Sequence, residues 1–536
     1  MTWKNLLLSL SSGILLWLAW PTYGFSGLLF VAMVPLLIME RRLRLDDQSG
    51  ADKKVWFLSY LTFVIWNFTT TYWLYYSTPF GMYFAVLVNA LLMSFVFLGY
   101  HLVAKKATQG TALTFLASLW ILFEYLHLNW DFSWPWLNLG NGFSETINWV
   151  QWYEFTGTFG GTLWVWLVNI AVFLAVVSFR ESGKKLPSFL KRLILPAVLI
   201  LVPVGISLLI KPAANALNKN GPVEVVVVQP NFDPYLEKFN LDNASIMDTI
   251  INLAAPLMKP TTDFIITPET VLADDLRTSQ LERDGAVLKI RELLRDYPQA
   301  HYLGGISLID VFTEKEKKTS QSNYYPDGGF YYNVYNSAMF LNASSAIELY
   351  HKSKLVVGVE NFPYKEILEP ILGDVMLDMG GTIATKTTQK DRTVFNSKEA
   401  TAIAPIICYE SVYGAYVTDY VKNGAQVLAI ITNDGWWGDT QGHQQHLSLA
   451  RLRALENRRW IARSANTGIS AIIDHRGEII SSLDYEEQGA LAATLYKNDS
   501  MTFYATHGDY IVRIAGFMAL FIIGFTYLKR GTMKRK

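Results

Sequence analysis

Apolar positions fall into two regimes along this chain. Up to about residue 211 they form long, nearly uncharged runs near 5–22, 25–40, 56–76, 82–104, 112–128, 158–179 and 193–210. One more such run covers about 511–528. A bilayer core of roughly 30 Å takes about 20 apolar residues per helix. The pattern therefore predicts eight spans, seven before residue 212 and one near residue 520. The second run is short enough to be partly re-entrant. The first reads as a span rather than a cleaved leader, because no small-x-small pattern follows it.

Between residues 212 and 508 the rhythm changes. Apolar runs shorten to strand length at 223–231, 263–270, 301–308, 333–342, 402–410, 426–434 and 468–477. Amphipathic stretches separate them at 243–258, 279–296 and 442–463. Strands alternating with helices predict an α/β domain. The polar stretches 312–328 and 373–396 read as loops, and "DHRGE" at 474–478 as a hairpin turn.

Composition agrees with the split. Hydrophobic residues make up 51% of 536 and charged residues only 17%, and mean hydropathy is +0.20. Net charge is zero, with 46 basic and 46 acidic residues; there is no basic footprint for a nucleic acid. Basic residues concentrate in alternate short loops: Arg41, Arg42, Arg44, Lys53 and Lys54; Lys105 and Lys106; Arg180, Lys184, Lys185, Lys191 and Arg192; and the tail from Lys529 to Lys536. Loops 77–81 and 129–157 contain neither lysine nor arginine. The positive-inside rule then places both termini in the cytoplasm and residues 212–508 on the external face. Expected domains are 1–211 with seven spans, 212–508 external, and 509–536 with the eighth span and tail.

Several strands end in polar residues, and strand ends are where α/β domains gather ligands. Glu269 follows "FIITP". "APIICYES" (404–411) carries Cys408, Tyr409 and Glu410, and Cys408 is the one cysteine in the chain. A lone cysteine can be a small buried hydrophobe; a nucleophilic one needs a base and a positive group nearby. Glu269 can be the base. "LYHKSKLVVGVENFP" (349–363) offers Lys352 and Lys354, which strand alternation puts on one face, so spacing leaves both open. Trp436 and Trp437 follow another strand end and are candidates for gating a substrate chain, or core. Trp130, Trp134, Trp136, Trp149 and Trp152 fit an interfacial belt. Glu124 lies inside an apolar span, where a carboxylate marks either function or a bond to a neighbouring helix. His443 and His446 in "HQQH" have no third ligand in sequence and read as helix surface.

These motifs resemble a known family. Glu in "TPET", Lys in "YHKSKL" and Cys in "ICYES" are similar to the Glu–Lys–Cys triad of the carbon–nitrogen hydrolase (nitrilase) superfamily. "ITNDGWWGDTQGHQQHLSLARLRALENRRWIARSANTGISAII" (430–472), "LLWLAWPTYGFSGLLFVAMVPLL" (15–37) and "LWILFEYLHLNWDFSWPWLNLGN" (119–141) resemble its membrane branch, the apolipoprotein N-acyltransferases. The resemblance implies an α-β-β-α sandwich outside a multi-pass helical domain in a bacterial inner membrane. It implies Glu269, Lys352 and Cys408 as catalytic, with Glu360, Tyr409 and Glu410 in support. "VGVEN" and "QPN" depart from the family's usual steps at those places. The implied reaction passes an acyl chain from a phospholipid, through a thioester on Cys408, to the N-terminal amine of a diacylated lipoprotein. The implied chemistry requires no metal or organic cofactor; a monomer is the simplest expectation for the chain. A membrane-anchored amidase using water is the rival reading.

Overall fold

The computed structural model describes residues 2–46, 50–181, 186–233, 241–361, 363, 364, 367, 385–397 and 401–533. Lys184, Lys185, the last three tail residues and the first half of the expected loop 373–396 lie outside them. The chain forms two compact units. One comprises residues 1–72, 82–211 and 507–536, the other 73–81 and 212–506.

The first unit is helical. Among the described residues, four helices are long and apolar enough to cross a membrane: Pro79–Ala104, Gln109–Asn129, Thr158–Glu181 and Phe189–Ile210. Trp3–Ala19 and Tyr510–Thr526 are apolar but shorter. The expected span at 56–76 lies on Ala51–Thr71, which starts with Asp52, Lys53 and Lys54 and stops before a separate turn, Leu74–Ser77. The segment at 25–40 is broken into Ser26–Leu28, Leu29–Ala32 and Val34–Leu45, the last with a proline in its first turn. A break in apolar surroundings frees backbone groups that need partners. Asn169 supplies two, accepting from Met33 N at 2.9 Å and donating to Leu29 O at 2.7 Å. Ser12 Oγ accepts from Leu36 N at 2.9 Å.

Glu124 is a strut. Its carboxylate accepts from Trp120 Nε1 at 3.0 Å, Leu139 N at 2.8 Å and Thr162 Oγ1 at 2.7 Å. It thus ties its own helix to segment 130–157 and to the next helix. Of the five tryptophans of the expected belt, Trp130, Trp134, Trp149 and Trp152 are half-buried and Trp136 is buried. Trp136 is fully buried and stacks on Trp134, while Trp152 meets Trp164 edge-on. The aromatic surface packs that loop, whose own regular structure is limited to the short helices Leu139–Phe143, Ile147–Trp149 and Tyr153–Thr156.

The second unit is a two-sheet sandwich. Its strands are β1 Pro222–Gln229, β2 Thr262–Ile266, β3 Leu272–Arg277, β4 His301–Phe312, β5 Asn323–Tyr325, β6 Phe330–Leu341, β7 Glu348–His351, β8 Phe395–Asn396, β9 Ala402–Ile407, β10 Val427–Thr432, β11 Ile461–Ala465, β12 Ser470–Ile473, β13 Ile479–Leu483 and β14 Gly489–Tyr496. One sheet runs β14-β1-β2-β4-β6-β5, with β3 beside β4 and β7 beside β6; the other runs β13-β12-β11-β10-β9-β8. β1, β2 and β4 are parallel, as are β9, β10 and β11. Helices Asn243–Ala254 and Gly285–Arg295 cover the first sheet through Ile246, Ile250, Val287 and Ile290. The sheets meet face to face, with Phe340 of β6 stacked on Phe395 of β8 and Ser464 Oγ of β11 donating to Val228 O of β1.

The stretch 442–463 is not one amphipathic helix. Helix Gln441–Asn457 is buried almost all round, and Arg458 at φ 50° ends it before β11. Burial of its polar side is offset by internal bonds such as Arg453 Nη1 to Val412 O at 2.7 Å and Arg453 to Glu456 at 2.8 Å.

Candidate active site

Strand β9 delivers Cys408 at its carboxyl end. The chain turns there with Cys408 at φ 49°, in the left-handed region, and continues as a short 3-10 helix, Cys408–Val412. L-residues avoid that region, so something must hold the turn. Glu410 does. Its Oε2 accepts from Ile407 N at 2.9 Å; its Oε1 accepts from Ser353 N, Tyr350 OH and Tyr416 OH, each at 2.7 Å. Burial pushes the Glu410 carboxyl up from its ordinary range even against these donors. Glu410 is a clamp behind the Cys408 turn. Tyr409 is buried, with its ring edge-on to Tyr413 at 5.2 Å.

Glu269 sits just past β2. Gly305 N of β4 donates to Pro268 O at 2.9 Å. A Cβ on Gly305 would stand 2.2 Å from Thr270 N, so only glycine lets this loop come so close. Strand β7 ends at His351, one residue before Lys352, whose N–H donates to Asn336 O of β6 at 2.8 Å. The Lys352 side chain is fully buried. Its Nζ lies 2.8 Å from Glu269 Oε1 and 2.8 Å from Glu360 Oε2. Asn336 Nδ2 spans the same pair, at 2.7 Å from Glu269 and 2.9 Å from Glu360.

The electrostatics follow from that geometry. Burial alone would lower the Lys352 ammonium, but the two carboxylates outweigh it and hold it well above the usual lysine range. Burial would likewise raise Glu360; Lys352 and then Lys386 instead hold it far below the ordinary carboxylate range. Cys408 goes the other way. Burial, reinforced by the Glu269 charge, pushes the thiol well above its usual value, and Lys352 only partly offsets this.

Glu269, Asn336, Lys352, Glu360 and Cys408 share one cavity of about 630 Å³, walled also by Trp436, Trp437, Lys386 and Ser77. Both tryptophans are half-buried, and Trp437 packs on Trp73 with ring centroids 4.8 Å apart. Lys354 is not part of the cavity. The alternation that put it beside Lys352 stops with β7, and its ammonium lies over the Tyr413 ring at 4.8 Å. Asn336 has a signal in the sequence: asparagine is a poor strand former, yet it stands inside "NVYNSAMF".

The histidines of "HQQH" are not helix surface. His443 and His446 are both buried. Cys408, Asp434 and His446 bring three metal-type donor atoms within 4.8 Å of one another. Those donors already have protein partners. His446 Nδ1 lies 2.9 Å from Asp434 and its Nε2 3.2 Å from Cys408 O, while Asp434 pairs with Arg463. A set so engaged fits a hydrogen-bonded strut better than an ion.

A carboxylate, an ammonium and a thiol at strand ends of a two-sheet sandwich define a cysteine enzyme of the acyl-transferring kind. The chain belongs to the carbon–nitrogen hydrolase family, whose model matches residues 205–500. Residues 12–171 match a second model, the apolipoprotein N-acyltransferase N-terminal domain. The apolipoprotein N-acyltransferase of Chlorobaculum tepidum is 28% identical over 96% of both chains. That of Geobacter metallireducens is 25% identical over 94% of this chain and 92% of its own. Among solved structures, a nitrilase-superfamily amidase from Nesterenkonia AN1 aligns with TM-score 0.36 and 15% identity, over 54% of this chain and 96% of its own.

Proposed function

We propose that this protein is an apolipoprotein N-acyltransferase: it moves an acyl chain from a phospholipid to the N-terminal amine of a diacylated lipoprotein, by way of a thioester on Cys408. The observation that carries this is Lys352 held between Glu269 and Glu360 on the cavity that also receives Cys408. Glu269 Oε1 is shared by Lys352 and Asn336, so proton transfer falls to Oε2. Glu269 takes the thiol proton as sulfur attacks the ester carbonyl, which a thiol held protonated by burial requires. Lys352 and the Tyr409 N–H stabilise the tetrahedral oxyanion. The C–O bond breaks, Glu269 protonates the leaving oxygen, and lysophospholipid departs. The incoming amine attacks the thioester, Glu269 accepts its proton, and the thiolate leaves and regains that proton. Substrates enter in turn, which is a ping-pong scheme.

Residues 1–211 and 509–536 supply the membrane part, with eight spans and both termini cytoplasmic, and residues 212–508 act on the external face of a bacterial inner membrane. The apolar sides of helix Leu186–Ile210 support lipid contact: Leu201 and Leu209 are 68% and 86% exposed. The protein works as a single copy. In the test, purified protein is incubated with labelled phospholipid and a diacylated lipopeptide. An N-acylated peptide is expected by mass spectrometry, and phospholipid alone leaves one hydroxylamine-labile acyl group that Cys408→Ala abolishes. Free fatty acid with an unmodified peptide would establish the amidase-type reading instead.

A further inference from the structure

The mechanism leaves the buried cluster behind Cys408 unused. His446, Asp434 and Arg463 have no solvent-exposed surface, and they stand directly behind the nucleophile. His446 Nε2 lies 3.2 Å from the Cys408 carbonyl oxygen and 3.0 Å from Ser411 Oγ. Ser411 Oγ itself donates to that carbonyl at 2.7 Å, so its proton is spent and it presents a lone pair to His446. Nε2 thus faces two acceptors and is placed to donate to them. On the far side of the ring, Nδ1 lies 2.9 Å from Asp434 Oδ1. Asp434 is fixed in turn by Arg463 and by Thr432 Oγ1 at 2.7 Å. Asp434 also opens the short turn Asp434–Trp437, whose tryptophans wall the cavity. The His446 ring meets Trp437 edge-on at 5.6 Å.

One imidazole therefore touches two different parts of the site. Its Nε2 end reaches the left-handed nucleophile turn and its Nδ1 end the tryptophan turn. We propose that His446 is a positioning residue that braces the nucleophile turn against the tryptophan turn, so that thiol presentation and acyl-chain placement are set by one side chain. This rests on the acyl-transfer reading only for the identity of the chain being placed. The Cys408 carbonyl sits at a backbone conformation an L-residue resists, and a donor on its oxygen is what keeps the sulfur aimed into the cavity. Arg463 also approaches Nδ1, at 3.3 Å; its shorter bond is to Asp434, and it secures the carboxylate rather than the ring.

The two ends are separable because asparagine and glutamine each reproduce one ring nitrogen. His446→Gln keeps a donor toward the Cys408 carbonyl and loses the bond to Asp434. His446→Asn keeps the bond to Asp434 and loses the nucleophile turn. Two readouts are taken on the full-length protein in detergent: the alkylation rate of Cys408 by iodoacetamide, and KM and kcat with phospholipid. His446→Asn is expected to lower alkylation and kcat by about tenfold, the worth of one buried hydrogen bond, with KM unchanged. His446→Gln should keep alkylation within about twofold of the parent and raise KM several-fold. Equal losses in both variants, or parental alkylation in His446→Asn, overturn the proposal. If neither variant folds, Ser411→Ala removes one member of the cluster at the carbonyl; slower alkylation supports the brace and an unchanged rate refutes it. A parent protein that is alkylated at Cys408 but never acylated by phospholipid sinks the acyl-transfer reading and leaves the brace intact.

Discussion

Cys408 reaches the cavity without being pre-ionised. Burial and the Glu269 charge hold its thiol protonated, so the free enzyme should carry almost no thiolate at neutral pH. Reaction of Cys408 with iodoacetamide is expected to accelerate by about tenfold per pH unit from 7 to 9, following the thiolate fraction. A plateau below pH 8 would show that Lys352 had already stabilised the anion. Asn336 makes a second residue-scale test. It donates to Glu269 and Glu360 at once, and bonds to charged groups are worth roughly 1.5–3 kcal/mol each. Asn336→Ala should slow acyl-enzyme formation by on the order of 100-fold, measured in a single turnover with labelled phospholipid; loss of less than threefold would make Asn336 a bystander. At this scale, the gathering of Glu269, Lys352 and Cys408 on one cavity was legible because each sits in a short motif at a strand end. Asn336 and His446 were not, since what recruits them is a partner across the fold, 67 and 38 residues away in sequence.

Elements were legible where burial has a simple period. Strands β1, β2, β4, β6, β9 and β10 stand where short apolar runs predict them. β11 was hidden because helix Gln441–Asn457 runs straight into it through one left-handed residue, Arg458, with no glycine or proline to mark the stop. The same blind spot misplaced Lys354, since nothing in "YHKSK" announces that β7 ends at His351. The Asp434–Trp437 turn is the element whose role is best tested by substrate length. Its two indoles wall the cavity, so Trp436→Ala with Trp437→Ala should cut turnover of long-chain phospholipids by about tenfold or more, and of short soluble esters far less, because the loss is apolar contact along the chain. Equal loss on both, with a lower melting temperature, would make the pair structural.

For the whole molecule, charge asymmetry in the loops is the feature with most reach. Reporter fusions after Arg42 and Lys106 should read cytoplasm, and one near residue 320 the external side. A cytoplasmic signal at 320 would put the cavity on the wrong side for exported lipoproteins. The division into a greasy and a strand-rich part was plain from composition. The helix boundaries were not, because Trp3–Ala19 is shorter than its apolar run suggests, and the 25–40 segment spends its apolar residues on a break held by Asn169.

The left-handed turn at Cys408 carries a consequence for descent as well as for chemistry. At φ 49° a side chain of any kind works against the backbone, at a cost of about 1–2 kcal/mol that glycine escapes. Cys408 therefore occupies a position where removal of its side chain relaxes the fold: Cys408→Gly should melt above Cys408→Ala. A gene copy with no need of this thiol would find glycine downhill here, so glycine in this turn is the replacement expected in such a paralogue.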